Sequence, residues 1–177
     1  KRDKNKLVED EVLFPLVLKS IGRHGSPSSI DVLSEDPFSQ RAYATVQARV
    51  MALGNIRSVA SVEALISMAQ LVGQHKMDGV RSEFRVALAR LTGRDLGPAP
   101  EPWFAWWRDN KKGLEIAKEA PTLEPALQKQ WERYWGLGDK AKEGEGGEGR
   151  GRKRGGDKGG GDKGGGESGG GERKGGG

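Results

Sequence analysis

The chain has 177 residues, a formal net charge of +5 and no cysteine. Its length suits one domain, and the missing cysteines exclude a disulfide framework, thiolate chemistry and a zinc–thiolate site. No window approaches the roughly 20 apolar residues of a membrane-spanning helix, so no membrane span is expected.

Composition divides the chain. Residues 139–177 hold 19 glycines, ten Lys/Arg and eight Asp/Glu, with Ala141 as the one apolar side chain. Such a stretch cannot bury enough surface to offset its ordering entropy, and is expected to be a disordered tail. Its charge is +2, leaving +3 for residues 1–138, where both signs are interspersed. That pattern is a solvated mixed-charge surface rather than a polycation.

Residues 1–6 form a polar lead-in. From Leu7, apolar residues recur as Leu7, Val8, Val12, Leu13, Leu16, Val17 and Ile21, the spacing of one helical face. Pro15 predicts a kink or a helix restart, and Gly22 with Gly25 predicts the helix end. A short helix over Ser29–Ser34 completes a first pair. Arg41–Leu53 carries Ala44, Val46, Val50, Met51 and Leu53. Gly54-Asn55 breaks it, Ser58 or Ser61 caps the next helix, and Val62, Leu65, Ile66, Ala69 and Val72 mark that helix's buried stripe. After Gly79 the pattern returns as Val80, Phe84, Ala87, Leu88 and Leu91, ending at Thr92-Gly93. Pro98, Pro100 and Pro102 predict an extended approach. A short helix over Trp103–Lys112 and a last one over Leu123–Trp135 follow, the latter with Leu127, Trp131 and Trp135 on one face.

Two segments echo each other 32 residues apart. Leu18-Lys19-Ser20-Ile21-Gly22 is matched by Val50-Met51-Ala52-Leu53-Gly54, with Ser26, Ser29 and Leu33 standing over Ser58, Ser61 and Leu65. A fixed period of this size is the mark of a repeat architecture. The run Val50-Met51-Ala52-Leu53-Gly54-Asn55-Ile56, then Ser61-Val62-Glu63-Ala64-Leu65-Ile66, resembles the HEAT-repeat pattern. The later Leu91-Thr92-Gly93 with Trp103-Phe104-Ala105-Trp106-Trp107 is similar to the ending of bacterial HEAT-repeat proteins. The resemblance implies an all-α, right-handed solenoid of antiparallel helix pairs over residues 7–112. A Trp-rich capping helix over 113–138 and the Gly-rich tail over 139–177 would complete it. It also implies an interaction module or scaffold. With no cap ahead of Lys1, the chain reads as the C-terminal portion of a longer array; cytoplasm and export both fit.

Catalytic constellations are not assembled. His24 lies near Ser26, Ser28 and Asp31, but without a strand–turn–helix elbow or an oxyanion hole. His75 reads as a solvated loop residue. Asp31, Glu35 and Asp36 lack calcium-loop spacing, and no phosphate-cradling glycine motif is present. No enzyme activity, cofactor or metal is expected. The expected function is binding of another protein, through Arg41, Arg49, Arg81, Arg85, Trp103 and Trp107. The alternative is nucleic acid, bound by the Arg-bearing helices (Arg41, Arg49, Arg81, Arg85 and Arg90) and the RGG-like run Arg150, Arg152, Lys153 and Arg154.

Overall fold

The computed structural model describes residues 11–39 and 42–137. Seven α-helices and no strand occur among them: α1 (Leu13–His24), α2 (Ile30–Ser34), α3 (Tyr43–Asn55), α4 (Val59–Leu71), α5 (Arg81–Thr92), α6 (Pro100–Asn110) and α7 (Pro125–Trp135). Single 3-10 turns, Pro27–Ser29 and Asp78–Val80, lead into α2 and α5. The chain is all-α, as the apolar periodicity predicts. The tail, 139–177, and the expected start of the first helix at Leu7 lie outside the described residues.

Local signals explain most boundaries. Ser58 accepts a hydrogen bond from Ala60 N and caps α4, whereas Ser61 is buried within that helix. Gly25, Gly93 and Gly136 end α1, α5 and α7 in the left-handed conformation that favours glycine. Pro15 stands in the first turn of α1, the helix start that was one of its two expected effects, where its missing N–H has no intrahelical partner to lose. The same reason moves the start of α6 forward: Pro100 and Pro102 occupy its first turn instead of an extended approach.

The echoed glycines do not end helices. Gly22 lies inside α1 and Gly54 inside α3. A Cβ on Gly22 would stand 2.7 Å from both Cα and Cβ of Ala52, and one on Gly54 2.7 Å from Cβ of Ala87. The 32-residue echo therefore marks where each helix touches its neighbour backbone to backbone: α1 on α3, then α3 on α5.

These contacts make α1, α3 and α5 a row, with α3 in the middle. A second row, α2, α4 and α6, packs against it. Leu18, Leu33, Val46, Val50, Leu53, Ile56, Leu65 and Leu88 fill the space between. Because α3 is enclosed on all sides, nine of its thirteen residues are buried. A second apolar cluster joins Met51, Val86 and Ala89 of the first row to Leu123, Leu127, Trp131 and Trp135. Here α7 reaches beyond α5: Trp131 lies 3.3 Å from the Cβ position of Gly54, and Trp135 3.0 Å from that of Gly22. Lys19 Nζ and Arg23 Nη2 of α1 donate to the carbonyls of Tyr134 and Trp135 at the end of α7.

Candidate functional site

Most of the arginines and tryptophans expected at a binding surface are used inside the fold. Arg49 is buried, and its Nη1 donates to the carbonyls of Val32 (2.9 Å), Leu33 (2.9 Å) and Glu35 (3.2 Å). It thus satisfies the carbonyl end of α2, a helix too short to do so through its own geometry. Arg85 makes a two-pronged ion pair with Asp95 at 2.8 and 2.5 Å, a fork geometry only guanidinium provides. Arg81 bonds Asp78 one turn earlier, at the edge of solvent. Trp103 is buried, donates from Nε1 to the Gly97 carbonyl (2.9 Å) and meets Trp106 edge-on. Trp107 is half-buried against the main core. Arg49 and Trp103 are therefore buried and hydrogen-bonded within the fold. Arg41, Arg150, Arg152, Lys153 and Arg154 lie outside the described residues.

His75 is not free in solvent but stacks on Phe38, with ring centroids 4.7 Å apart. Ser26 and Ser28 share a hydrogen bond of 2.7 Å, and His24 is exposed beside them. Among the described residues no three His, Cys, Asp or Glu side chains converge where a metal could sit.

Helix-end carbonyls are a recurring target. Asn55 Nδ2 donates to the Gly22 carbonyl at 2.9 Å and Arg57 to that of Arg90 at 2.9 Å, Arg57 also reaching the carbonyl of Ala117 (2.6 Å) in the loop after α6. Arg90 lies with its guanidinium carbon 4.3 Å from the ring centre of Trp131. Burial, and then the charge of Arg57, pull its pKa below the ordinary arginine value. One acid is also enclosed. Glu83 accepts from Tyr43 (2.7 Å) and Gln47 (2.9 Å) on one oxygen and from Ser82 (2.8 Å) on the other. The sequence reading named Arg90 only as one of several helix arginines able to meet a phosphate backbone, and it did not single out Glu83 or Arg57. Glu83 had a signal: it precedes Ala87 by four residues, so an acid shares the apolar stripe of α5.

The exposed apolar surface is elsewhere, on α1. Leu18 and Gly22 face α3 and are buried, while Leu16 is 55 % and Val17 37 % exposed. A turn of 100° per residue sets Leu13, Leu16, Val17, Ser20 and His24 on the side opposite Leu18. They line a shallow groove of about 480 Å³, with Ser29 at its rim. No helix among the described residues is long and apolar enough to cross a membrane.

No family model matches the chain, and neither the curated proteins nor the solved structures hold a match to it.

Proposed function

We propose that this chain is a non-catalytic protein-interaction module, a short HEAT-like solenoid that docks an amphipathic helix of another protein along the outer face of α1. The observation carrying this reading is the strip around Leu16 and Val17, apolar and open on a helix whose opposite side is packed against α3. Within the solenoid reading, α3 has a first-row helix on each side and α1 has one on one side only. A helix bearing apolar residues at i, i+3, i+4 and i+7 is the shape that extends such a row. The polar rim of Ser20, His24 and Ser29 suits the flanks of a helix of this kind. The Trp-bearing α7 serves as the brace that holds the first row together. Arg49, Arg81 and Arg85 are engaged by carbonyls or a carboxylate, which leaves those three little to offer a phosphate backbone.

The test is selection of binders from a displayed library of helical peptides, using the full chain as bait. Enriched peptides sharing an apolar stripe, and losing affinity for the Leu16→Glu/Val17→Glu variant while that variant melts like the parent, support the reading. Peptides that bind the variant equally well overturn it. A concentration-dependent dimer that the same variant disperses would assign the face to a second copy instead.

A further inference from the structure

Four cations gather where α1, α3 and α5 meet the end of α7. Lys19 and Arg23 hold the last carbonyls of α7, Arg57 holds the Arg90 carbonyl at the end of α5, and Arg90 lies flat on Trp131. Among the described residues no carboxylate lies within 4.0 Å of any of them, since the ion pairs use Arg81, Arg85 and Arg108. Carbonyl oxygens at a helix end offset only part of a unit charge. Arg90 makes no hydrogen bond through its guanidinium to the described residues. Its guanidinium carbon stands 4.3 Å from the Trp131 ring centre, and its N–H groups are the donors able to bind. Like charges concentrated without an acid repel one another, and an anion relieves that repulsion.

A cleft of about 470 Å³ opens at this place, lined by Arg23, Asn55, Arg90, Trp131, Trp135 and Leu137. Trp131 and Trp135 supply the aromatic part of its wall. Two guanidinium groups reach the same cleft from different helices, α1 and α5. Each can present paired N–H groups to two oxygens of one centre, a match to tetrahedral oxyanions. A dianion offsets both charges, where a carboxylate offsets one. The volume exceeds that of a phosphate group alone, leaving room for the part of a molecule that carries it.

We propose that this cleft binds a phosphate monoester, its oxygens held by the N–H edges of Arg23 and Arg90. A small phosphorylated metabolite and a phosphorylated side chain share this chemistry. The site is independent of docking on α1: its variants change Arg23 and Arg90 and leave Leu16 and Val17 in place.

The experiment is titration of the full chain, by calorimetry and tryptophan fluorescence, with inorganic phosphate, O-phosphoserine and a phosphoserine peptide. Saturable binding is expected, weakened about tenfold or more in Arg90→Gln and in Arg23→Gln and unchanged in Arg81→Gln. Arg90→Lys, which keeps the charge but loses the fork, is expected to weaken binding as well. Affinity should fall as pH drops through the second phosphate pKa of about 6. All variants retain the cationic tail, so the tail cannot produce the difference. If loss of the stack on Trp131 unfolds Arg90→Gln, the exposed Arg23→Gln decides alone. Preference for the peptide over free phosphoserine assigns a protein-borne phosphate, and the reverse a small molecule. No saturation up to about 1 mM, equal affinity in Arg23→Gln, or equal binding of succinate overturns the proposal. So does an oligonucleotide that binds more tightly than any monoester.

Discussion

Gly54→Ala sets helix propensity against packing. Within α3, alanine favours the helix over glycine by about 1 kcal/mol. The added methyl would lie 2.7 Å from Cβ and 2.9 Å from Cα of Ala87, and 3.3 Å from the Trp131 ring. Carbon atoms rest about 3.5–4.0 Å apart, so α3 and α5 must separate by roughly 1 Å. The obstacle is the backbone of a buried helix, and no rotamer change relieves it. Overpacking of this kind costs about 1–3 kcal/mol, and the shift of a whole helix pair places it at the upper end. Subtracting the gain in propensity leaves a destabilisation of about 2 kcal/mol. Urea unfolding of the full chain, followed by far-ultraviolet circular dichroism, should show the midpoint fall by about 1 M at unchanged slope. In Gly54→Ala/Ala87→Gly the two effects should fall short of additivity, the double variant being more stable than the summed singles predict. Gly73→Ala is the control: nothing lies within 4 Å of its Cβ position, and its stability should hold or rise. A Gly54→Ala protein as stable as the parent would refute the close approach of α3 and α5.

Other outcomes follow from the polar interior. Arg49→Met leaves the carbonyls of Val32, Leu33 and Glu35 without their donor and should cost about 2–3 kcal/mol in the same unfolding assay, with Arg49→Lys restoring little. Tyr43 and Tyr134, the chain's two tyrosines, are both pushed up to about 12, chiefly by burial, Tyr43 also by its bond to Glu83. Their raised values favour the fold below the ordinary tyrosine pKa of about 10, a contribution lost as pH rises through 12. An absorbance titration should show no phenolate near pH 10 in the folded protein, and an earlier step, at Tyr43, in Glu83→Gln. Asp95 is held below the usual carboxylate range, first by its hydrogen bond from Arg85. Its contribution is present above the unfolded pKa of about 3.9 and lost as pH falls through the lower folded value. The stability advantage of the parent over Asp95→Asn should therefore be constant near neutrality and vanish in that acid range.

How legible the molecule was depends on the range of the signal. The helices of the middle pair were readable because a 3.6-residue apolar period and a serine cap act within one turn of the residues concerned. Leu65, Ile66 and Val62 are buried where that period puts them. Gly22 was misread as a stop, while Pro15 marks a helix start, and one reason covers both. Each is a helix breaker by local propensity, and each is tolerated by its place: the first turn for Pro15, a backbone contact with Ala52 for Gly22. The repeat was visible as an echo, but a period does not say which physical contact it preserves.

The candidate residues show the limit more sharply. An arginine on an amphipathic helix looks the same in sequence whether it faces solvent or the carbonyl end of another helix. Arg49 faces carbonyls fourteen to seventeen residues earlier, and Arg57 one thirty-three residues later. Sequence by itself determined that the chain is helical, where its central helices run and that no thiol chemistry is possible, because propensity, periodicity and composition are properties of neighbouring residues. Tertiary structure alone decided which charges were spent on helix ends, that α7 reaches back to Gly22 of α1, and that Leu16 and Val17 are left open. Those outcomes depend on distances between segments up to 115 residues apart along the chain, as in the bond from Lys19 to the Tyr134 carbonyl, and no local pattern carries that information.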